Sequence, residues 1–127
     1  MEPIRRVRDV MTSPAVEVKA ETALREVAEL LDEHEVGALV VVGPDGMQGM
    51  VSERDVVRTV AEGGDLDAVW ASDVMATEPS WVTPEDTVED AARAMANAWA
   101  RHLPVLDEDG EVCGVVSVRD VLLAISD

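Results

Sequence analysis

The sequence predicts an α+β protein built from two similar strand–helix–strand–strand–helix units. A seven-residue pattern occurs twice, as Gly49–Asp55 and Gly114–Asp120, and Asp9-Val10-Met11 returns as Asp73-Val74-Met75, 64 positions later. Each copy also contains an amphipathic stretch followed by two apolar runs that a turn separates. Repetition at a fixed spacing of this length is typical of a duplicated structural unit.

The two copies divide the chain into residues 1–64 and 65–127. A unit of about 60 residues buries too little surface to be stable alone, so we expect the two copies to share a core. Because aromatic residues make up only 2% of the chain, with no Phe or Tyr, that core must be packed from aliphatic side chains. The spacing between copies grows by one after Gly110, and we expect a hairpin turn to absorb the extra residue near Cys113.

The chain is strongly acidic. With 27 acidic and 10 basic residues its formal net charge is −17, so its surface repels nucleic acid and anionic membranes, and neither is expected as a partner. This acidity fits both a high-salt cytoplasm and an ordinary acidic protein, and the two explanations stay open. A single cysteine, the lack of a secretory signal and the lack of an apolar run of about 20 residues predict a soluble, cytoplasmic protein.

The first helix of each unit is predicted from apolar residues at positions i, i+3, i+4 and i+7. These residues are Leu24, Val27, Ala28 and Leu31 in the first copy, and Val88, Ala91, Ala92 and Met95 in the second. We expect the helices to begin near Glu21 or Thr22 and near Asp86 or Thr87, where side-chain oxygens can cap the first amides.

Two apolar runs in each copy predict a β-hairpin that leads into a second helix. The hairpin strands are Ala38 to Val42 with Met50-Val51 in the first copy, and Leu103 to Leu106 with Val112 to Val116 in the second. The second helix is expected to begin at Ser52 or Ser117. Gly63-Gly64 ends the first copy, and a connector with one helical turn follows it.

The repeated loop brings a serine and an aspartate to the start of that second helix. The unpaired amides and positive dipole at a helix N-terminus suit a phosphate, to which Ser52 and Ser117 can donate hydrogen bonds. The neighbouring arginines, Arg54 and Arg119, add positive charge, and Asp55 and Asp120 can accept from ribose hydroxyls. Together these residues suit a nucleotide.

A purely structural interpretation stays open beside this one. Ser-x-x-Asp is also a capping box, in which the same side chains satisfy the amides of their own helix. For a single copy, the cap is the stronger interpretation because serine and aspartate are common at helix starts. The duplication of the loop in matching surroundings favours ligand binding.

With these parts in order, the chain resembles a tandem pair of cystathionine-beta-synthase (CBS) domains, known as a Bateman module, over nearly its whole length. The matching features are the two Asp-Val-Met segments, the Ala-rich helices, His102-Leu103-Pro104-Val105 on a strand, and the two Gly-x-x-Ser-x-x-Asp loops. The resemblance implies two β-α-β-β-α units packed sheet to sheet about a pseudo-two-fold axis. It also implies two clefts for adenosine-containing ligands and a homodimer of two modules.

The resemblance assigns binding roles by position. In the second copy Asp120 corresponds to the ribose-binding residue, Ser117 and Arg119 to the phosphate-binding residues, and His102, Leu103 and Pro104 to the strand beside the adenine. In the first copy the corresponding residues are Asp55, Ser52 and Arg54, with Ala38 and Leu39 on the strand. That strand lacks the proline, and Gly37-Ala38 replaces Arg101-His102, so its base pocket matches the pattern less well.

The function predicted from the resemblance is that of a non-enzymatic regulatory module. AMP, ADP or ATP is the expected ligand, with or without Mg²⁺, ahead of S-adenosylmethionine or NAD, and no cofactor is obligatory. Occupancy would be passed on through self-association or to an unknown protein partner in trans. Two alternatives stay open: a dimerisation or interaction scaffold that binds no ligand, and a regulatory fragment of a larger enzyme or transporter.

No catalytic constellation and no metal site is predicted. His34 and His102 lack a second ligand at a recognisable metal-binding spacing, and Cys113 is expected to pack as a small apolar residue. Trp99 is interpreted as a core residue, a lid over a cleft or an interface anchor, with exposure favouring the interface. Met11 and Met75 are expected to pack between the two repeats.

Overall fold

The computed structural model describes residues 5–126, which form two compact units. One unit combines the start of the chain, up to Ala15, with the residues from Ser80 onward, and the other spans Val16–Pro79. The compact units therefore differ from the two sequence repeats, because each repeat contributes its opening segment to the unit that holds most of the other repeat.

The predicted α+β class is confirmed. The helices are α1 Val7–Val10, α2 Leu24–His34, α3 Glu53–Ala61, α4 Ala71–Val74, α5 Val88–Ala98 and α6 Val118–Ile125. The strands are β1 Glu17–Lys19, β2 Ala38–Gly43, β3 Gly46–Ser52, β4 Ala76–Thr77, β5 His102–Leu106 and β6 Val112–Ser117. The short helices α1 and α4 end within the Asp-Val-Met segments, and the sequence did not predict them as helices of their own.

The unit spanning Val16–Pro79 contains a four-stranded sheet in the order β1-β2-β3-β4. β1 pairs with β2 in parallel, β2 and β3 form the predicted antiparallel hairpin, and β4 pairs with β3. The apolar face of α2 packs on this sheet: Leu24, Val27 and Leu31 are buried with Leu39 and Val41 of β2. The helical periodicity therefore identified the core-facing side chains, although Ala28 lies only half-buried.

The other unit repeats this arrangement with fewer strand pairs. Its hairpin is β5-β6, and two isolated bridges extend it, a parallel one from Val82 to Val105 and an antiparallel one from Thr12 to Val115. Val82 and Thr12 correspond to positions in β1 and β4 of the unit that spans Val16–Pro79. The short strand predicted at this point of the second copy is thus reduced to a single bridge, at Val82.

The predicted start of the second amphipathic helix is confirmed, and that of the first lies one residue from the observed start and lacks the expected cap. α5 begins after Thr87, whose hydroxyl accepts a hydrogen bond from the Asp90 amide at 3.0 Å. α2 begins after Ala23, one residue beyond Thr22, without a side-chain cap. Its first amides, of Leu24 and Arg25, donate instead to backbone carbonyls of the connector, so no capping side chain is needed.

The extra residue of the second copy lies in a hairpin turn, as expected. Both hairpins carry a β-bulge at the same place, with Gln48 unpaired in one and Cys113 in the other. The second turn is longer, and the Asp107 side chain accepts hydrogen bonds from the amides of Asp109 and Glu111, at 2.9 and 3.0 Å. The register of the strands beyond the bulge is preserved because the turn absorbs the insertion.

Two glycines in the repeated pattern allow a close approach between segments of different repeats. A Cβ on Gly114 would lie 2.7 Å from the Thr12 carbonyl oxygen and 2.9 Å from the Met11 sulfur. In the same way, Gly49 faces Met75 and the Ala76 carbonyl oxygen. The expectation that the two methionines pack between the repeats is confirmed, since each contacts a strand of the other copy.

All three tryptophans lie at the surface. Trp70 and Trp81 are about half exposed, and Trp99 is 93% exposed. Trp99 ends α5 in the left-handed region, with φ 55°, as Glu35 ends α2 with φ 54°. Glycine is the usual residue at this position. The interpretation of Trp99 as a core residue is wrong, and its exposure favours a contact outside the chain.

Candidate functional site

The repeated loop of the second copy connects β6 to α6. β6 ends at Ser117, the N-cap of α6, and the register of the hairpin places His102 directly opposite it. The Ser117 amide donates to Oδ2 of Asp120 at 2.8 Å, and the Asp120 amide donates to Oγ of Ser117 at 3.1 Å. These reciprocal hydrogen bonds form a capping box.

This cap leaves hydrogen-bonding groups available at both side chains. A serine hydroxyl has one proton and two lone pairs, and the cap uses one lone pair of Ser117. An ionised carboxylate accepts through both oxygens, and among residues 5–126 the Asp120 side chain accepts only through Oδ2. The Ser117 proton and Asp120 Oδ1 can therefore serve a ligand while the cap stays intact. The two interpretations of this motif are compatible.

The loop between β3 and α3 also has the arrangement of a capping box, but its serine hydroxyl donates to the aspartate. Ser52 is the N-cap of α3, Ala38 lies opposite it, and its amide donates to Oδ2 of Asp55 at 2.8 Å. The Ser52 hydroxyl also donates to this oxygen, at 3.1 Å. Its proton is thus engaged within the loop, unlike that of Ser117.

The strands beside the two loops are buried on both faces, which the continuous apolar run from Leu39 to Val42 predicts for the first of them. In β5 Leu103 and Val105 point into the core of their own unit, and Leu39 and Val41 do the same in β2. Side chains alternate along a strand, so Pro104 shares the opposite face with His102, and there Pro104 is fully buried and His102 half-buried. The side chains of Leu39 and Leu103 therefore lie in the core, and a ligand contact at these positions would involve the backbone.

The arginines of the two loops make no ion pair with the described carboxylates of this strongly acidic protein. Arg54 and Arg119 are the second residues of α3 and α6, and Arg101 precedes β5. All three are exposed, and within the described part of the chain none of them forms an ion pair. Positive charge that is not neutralised by neighbouring carboxylates is available to an anionic ligand.

The first residue of each helix differs between the loops, and the sequence interpretation did not use this difference. α3 begins with Glu53 and α6 with Val118. Their amides are satisfied alike, by the carbonyl oxygens of Gly37 at 3.0 Å and Arg101 at 2.8 Å. Alignment of the two repeats could have shown this difference, because Glu53 and Val118 lie between the matched serines and the matched arginines.

The remaining candidates for chemistry are the cysteine and the possible metal ligands. Burial raises the pKa of the Cys113 thiol, and the nearby Asp107 carboxylate raises it further, so the thiol is protonated at neutral pH and poorly nucleophilic. Within residues 5–126, His, Cys, Asp and Glu form no group of three or more that could hold a metal ion. The described helices include none that is long and apolar enough to cross a membrane.

Comparison with known proteins identifies the family. The family model of the CBS domain matches the chain twice, at residues 7–62 and 71–127. The chain belongs to the CBS domain family. The two matches carry the two repeated loops, and together they make the chain a tandem CBS pair.

Relatives of this CBS pair include proteins with bound ligands. The CBS domain-containing protein YhcV of Bacillus subtilis is 36% identical over 91% of this chain and 81% of its own length. The CBS domain protein PAE2072 of Pyrobaculum aerophilum, solved with AMP, is 33% identical, covers 95% of this chain and 98% of its own, and has a TM-score of 0.83. The CBS pair of protein MJ0100, solved with 5′-methylthioadenosine and S-adenosyl-L-methionine, is 20% identical with 98% coverage of both chains and a TM-score of 0.88, which shows a shared fold.

Proposed function

We propose that this CBS pair is a regulatory module that binds an adenosine-containing ligand and performs no catalysis. AMP, ADP or ATP is the first choice of ligand, with S-adenosylmethionine or NAD behind them. The observation that supports this most strongly is the loop at Ser117 and Asp120, where the described residues leave one donor and one acceptor unpaired, beside arginines that form no ion pair with them. A relative that covers almost the same length was solved with AMP.

The proposed roles at this loop follow from the hydrogen-bonding groups that the cap leaves free. Oδ1 of Asp120 accepts from the ribose hydroxyls, and the Ser117 hydroxyl donates to a phosphate oxygen. Arg119 supplies positive charge at the helix N-terminus, which itself favours an anion. The adenine lies against the strand that carries His102 and Pro104.

The loop at Ser52 and Asp55 is proposed as a second site with the same orientation of the ribose. Arg54 takes the place of Arg119, and Ala38 and Leu39 lie on the corresponding strand. Its serine proton is already donated to Asp55, so a ligand has to displace that hydrogen bond. We also propose that the two sequence repeats are residues 1–64 and 65–127. The proposed location of the protein is the cytoplasm.

The first test measures thermal unfolding against AMP, ADP, ATP, S-adenosylmethionine and NAD, each with and without Mg²⁺, at low and high salt. A ligand that binds only the folded state and is present at 100 times its dissociation constant adds about 2.7 kcal/mol to the free energy of unfolding. We expect a selective rise in the unfolding midpoint with an adenine nucleotide. A folded sample that shifts with none of these ligands would support the scaffold instead.

Self-association is proposed as one output of the module. Val118, Leu122 and Ile125 lie at i, i+4 and i+7 on α6 and form an exposed apolar stripe. Val57 and Val60 of α3, at the positions corresponding to Leu122 and Ile125, are also more than half exposed. Exposed apolar faces that recur on both copies favour contact with a second chain.

We expect Leu122→Lys to shift the protein toward the monomer, because a lysine in an apolar interface loses its hydration without gaining a partner. The measurement is the molar mass in solution by light scattering. Leu123→Lys is the matched control: Leu123 is equally exposed on the same helix, lies off the stripe, and corresponds to Arg58 in the first copy. Equal masses for the two variants would contradict the proposed interface.

A further inference from the structure

The two loops differ in charge around the same hydrogen-bonding frame. Residues 53–55 carry two carboxylates and one guanidinium, whereas residues 118–120 carry one of each. Opposite the capping serine the first loop has the neutral pair Gly37-Ala38, where the second has Arg101-His102. With histidine neutral, the first set is formally −1 and the second +1.

Half of this difference, one unit of charge, comes from Glu53, and the other half comes from Arg101. This glutamate is the first residue of α3, where a negative side chain is stabilised by the helix dipole and where a phosphate would also be stabilised. It is exposed, so its carboxylate is not committed to the core. In α6 the corresponding residue, Val118, is uncharged, and the dipole there is not compensated by a neighbouring glutamate.

The hydroxyl groups point to the same distinction. The described residues leave the Ser117 proton unpaired and able to donate to a phosphate oxygen, while the Ser52 proton is donated to Asp55. A ligand that needs no donor from Ser52 leaves that 3.1 Å hydrogen bond in place. Both aspartates keep one carboxylate oxygen that the described residues leave unpaired, so ribose recognition is equally available to the two loops.

Resting on the proposed function, we propose that Glu53 is a specificity-determining residue: it makes the Asp55 loop select an adenosyl compound without a phosphate, with a neutral or cationic group at the 5′ position. The Asp120 loop takes the phosphorylated ligand. The two copies then bind two chemical classes of adenosine compound, one without a phosphate and one with it.

Charge repulsion sets the size of the effect. A carboxylate on the residue next to the capping serine lies on the order of 6 Å from a phosphate bound there, and in water it disfavours a dianion by about tenfold. Because the groups are exposed, this discrimination should shrink as salt rises and the screening length falls below that separation.

The test isolates the Asp55 loop in an Asp120→Ala background and compares AMP with adenosine by calorimetry. We expect adenosine to bind more tightly than AMP there. Adding Glu53→Gln should raise the AMP affinity about tenfold and leave the adenosine affinity within twofold. In the reverse experiment, in an Asp55→Ala background, Val118→Glu should weaken AMP about tenfold relative to Val118→Gln, again without affecting adenosine.

Glu62→Gln is the matched control, because it removes the same charge from the exposed C-terminal end of α3 and should leave the AMP-to-adenosine ratio unchanged. Two results would overturn the inference and leave the proposed function standing. One is an AMP-to-adenosine ratio that Glu53→Gln also leaves unchanged. The other is an Asp120→Ala protein that binds neither compound while the native chain binds AMP. A native chain that binds neither compound would overturn both. Circular dichroism establishes that each variant is folded, and Asp120→Asn, which keeps an acceptor for the cap, replaces Asp120→Ala if that variant is not.

Discussion

Replacing Asp120 with alanine is expected to weaken AMP binding by about 100-fold. The change removes the acceptor proposed for the two ribose hydroxyls, and each hydrogen bond to a charged group contributes about 1.5–3 kcal/mol. It also removes the acceptor of the 2.8 Å hydrogen bond from the Ser117 amide. Calorimetric titration of the native and variant proteins with AMP measures the change.

Two variants separate ligand binding from helix capping. Asp120→Asn keeps a carbonyl oxygen for the Ser117 amide, so we expect it to unfold close to the native protein and still to bind AMP more weakly. Asp55→Ala removes the corresponding cap of α3 and should affect AMP much less than Asp120→Ala. Unchanged AMP affinity in the folded Asp120→Ala protein would rule out this residue as the ribose acceptor.

The largest effect on stability is expected from Gly49→Ala, which should lower the free energy of unfolding by about 2 kcal/mol. A Cβ at this position would overlap the Ala76 carbonyl oxygen and lie 2.9 Å from the Met75 sulfur. The methionine can move, but the carbonyl oxygen belongs to β4, which pairs with β3 at this point, so the backbone has to shift. Urea denaturation measures the loss.

Gly43→Ala is the control for this prediction. The three atoms nearest to the Cβ that it adds all belong to the Gln48 side chain, which is exposed and can rotate away. We expect its effect to stay below about 0.5 kcal/mol, as for most surface substitutions. If Gly43→Ala and Gly49→Ala destabilised the protein equally, the close approach of β4 would not be the reason for a glycine in the repeated pattern.

Much of the fold could be predicted because local signals and repetition agreed. The i, i+3, i+4, i+7 pattern located Leu24, Val27 and Leu31 in the core, and the apolar run from Leu39 indicated a strand buried on both faces. At the repeated loops, serine and aspartate three residues apart predicted a helix start, which the structure confirms at Ser52 and Ser117. The cap is local, so the sequence was sufficient.

What could not be predicted depends on distant parts of the chain. The start of α2 is set by carbonyl groups of Leu66 and Val69, more than 40 residues away in the chain, and no local pattern shows them. The hydrogen bond of the Ser52 hydroxyl could not be predicted either, since the same residue types at Ser117 form the other pattern. The alternation along β5 explains why Leu103 faces the core. An apolar run alone does not show which part of the chain covers each face of a buried strand.

The exchange of opening segments between the repeats has a consequence for how such a chain can arise. β3 of the first copy is completed by β4, which the second copy supplies, and β6 of the second is extended by Thr12 of the first. A lone ancestral copy would have had an open sheet edge at this place, and only a second polypeptide could have filled it. Duplication within one gene turns that bimolecular encounter into a fixed linkage, so a chain cut at residue 64 should yield two fragments that must find each other before either is complete.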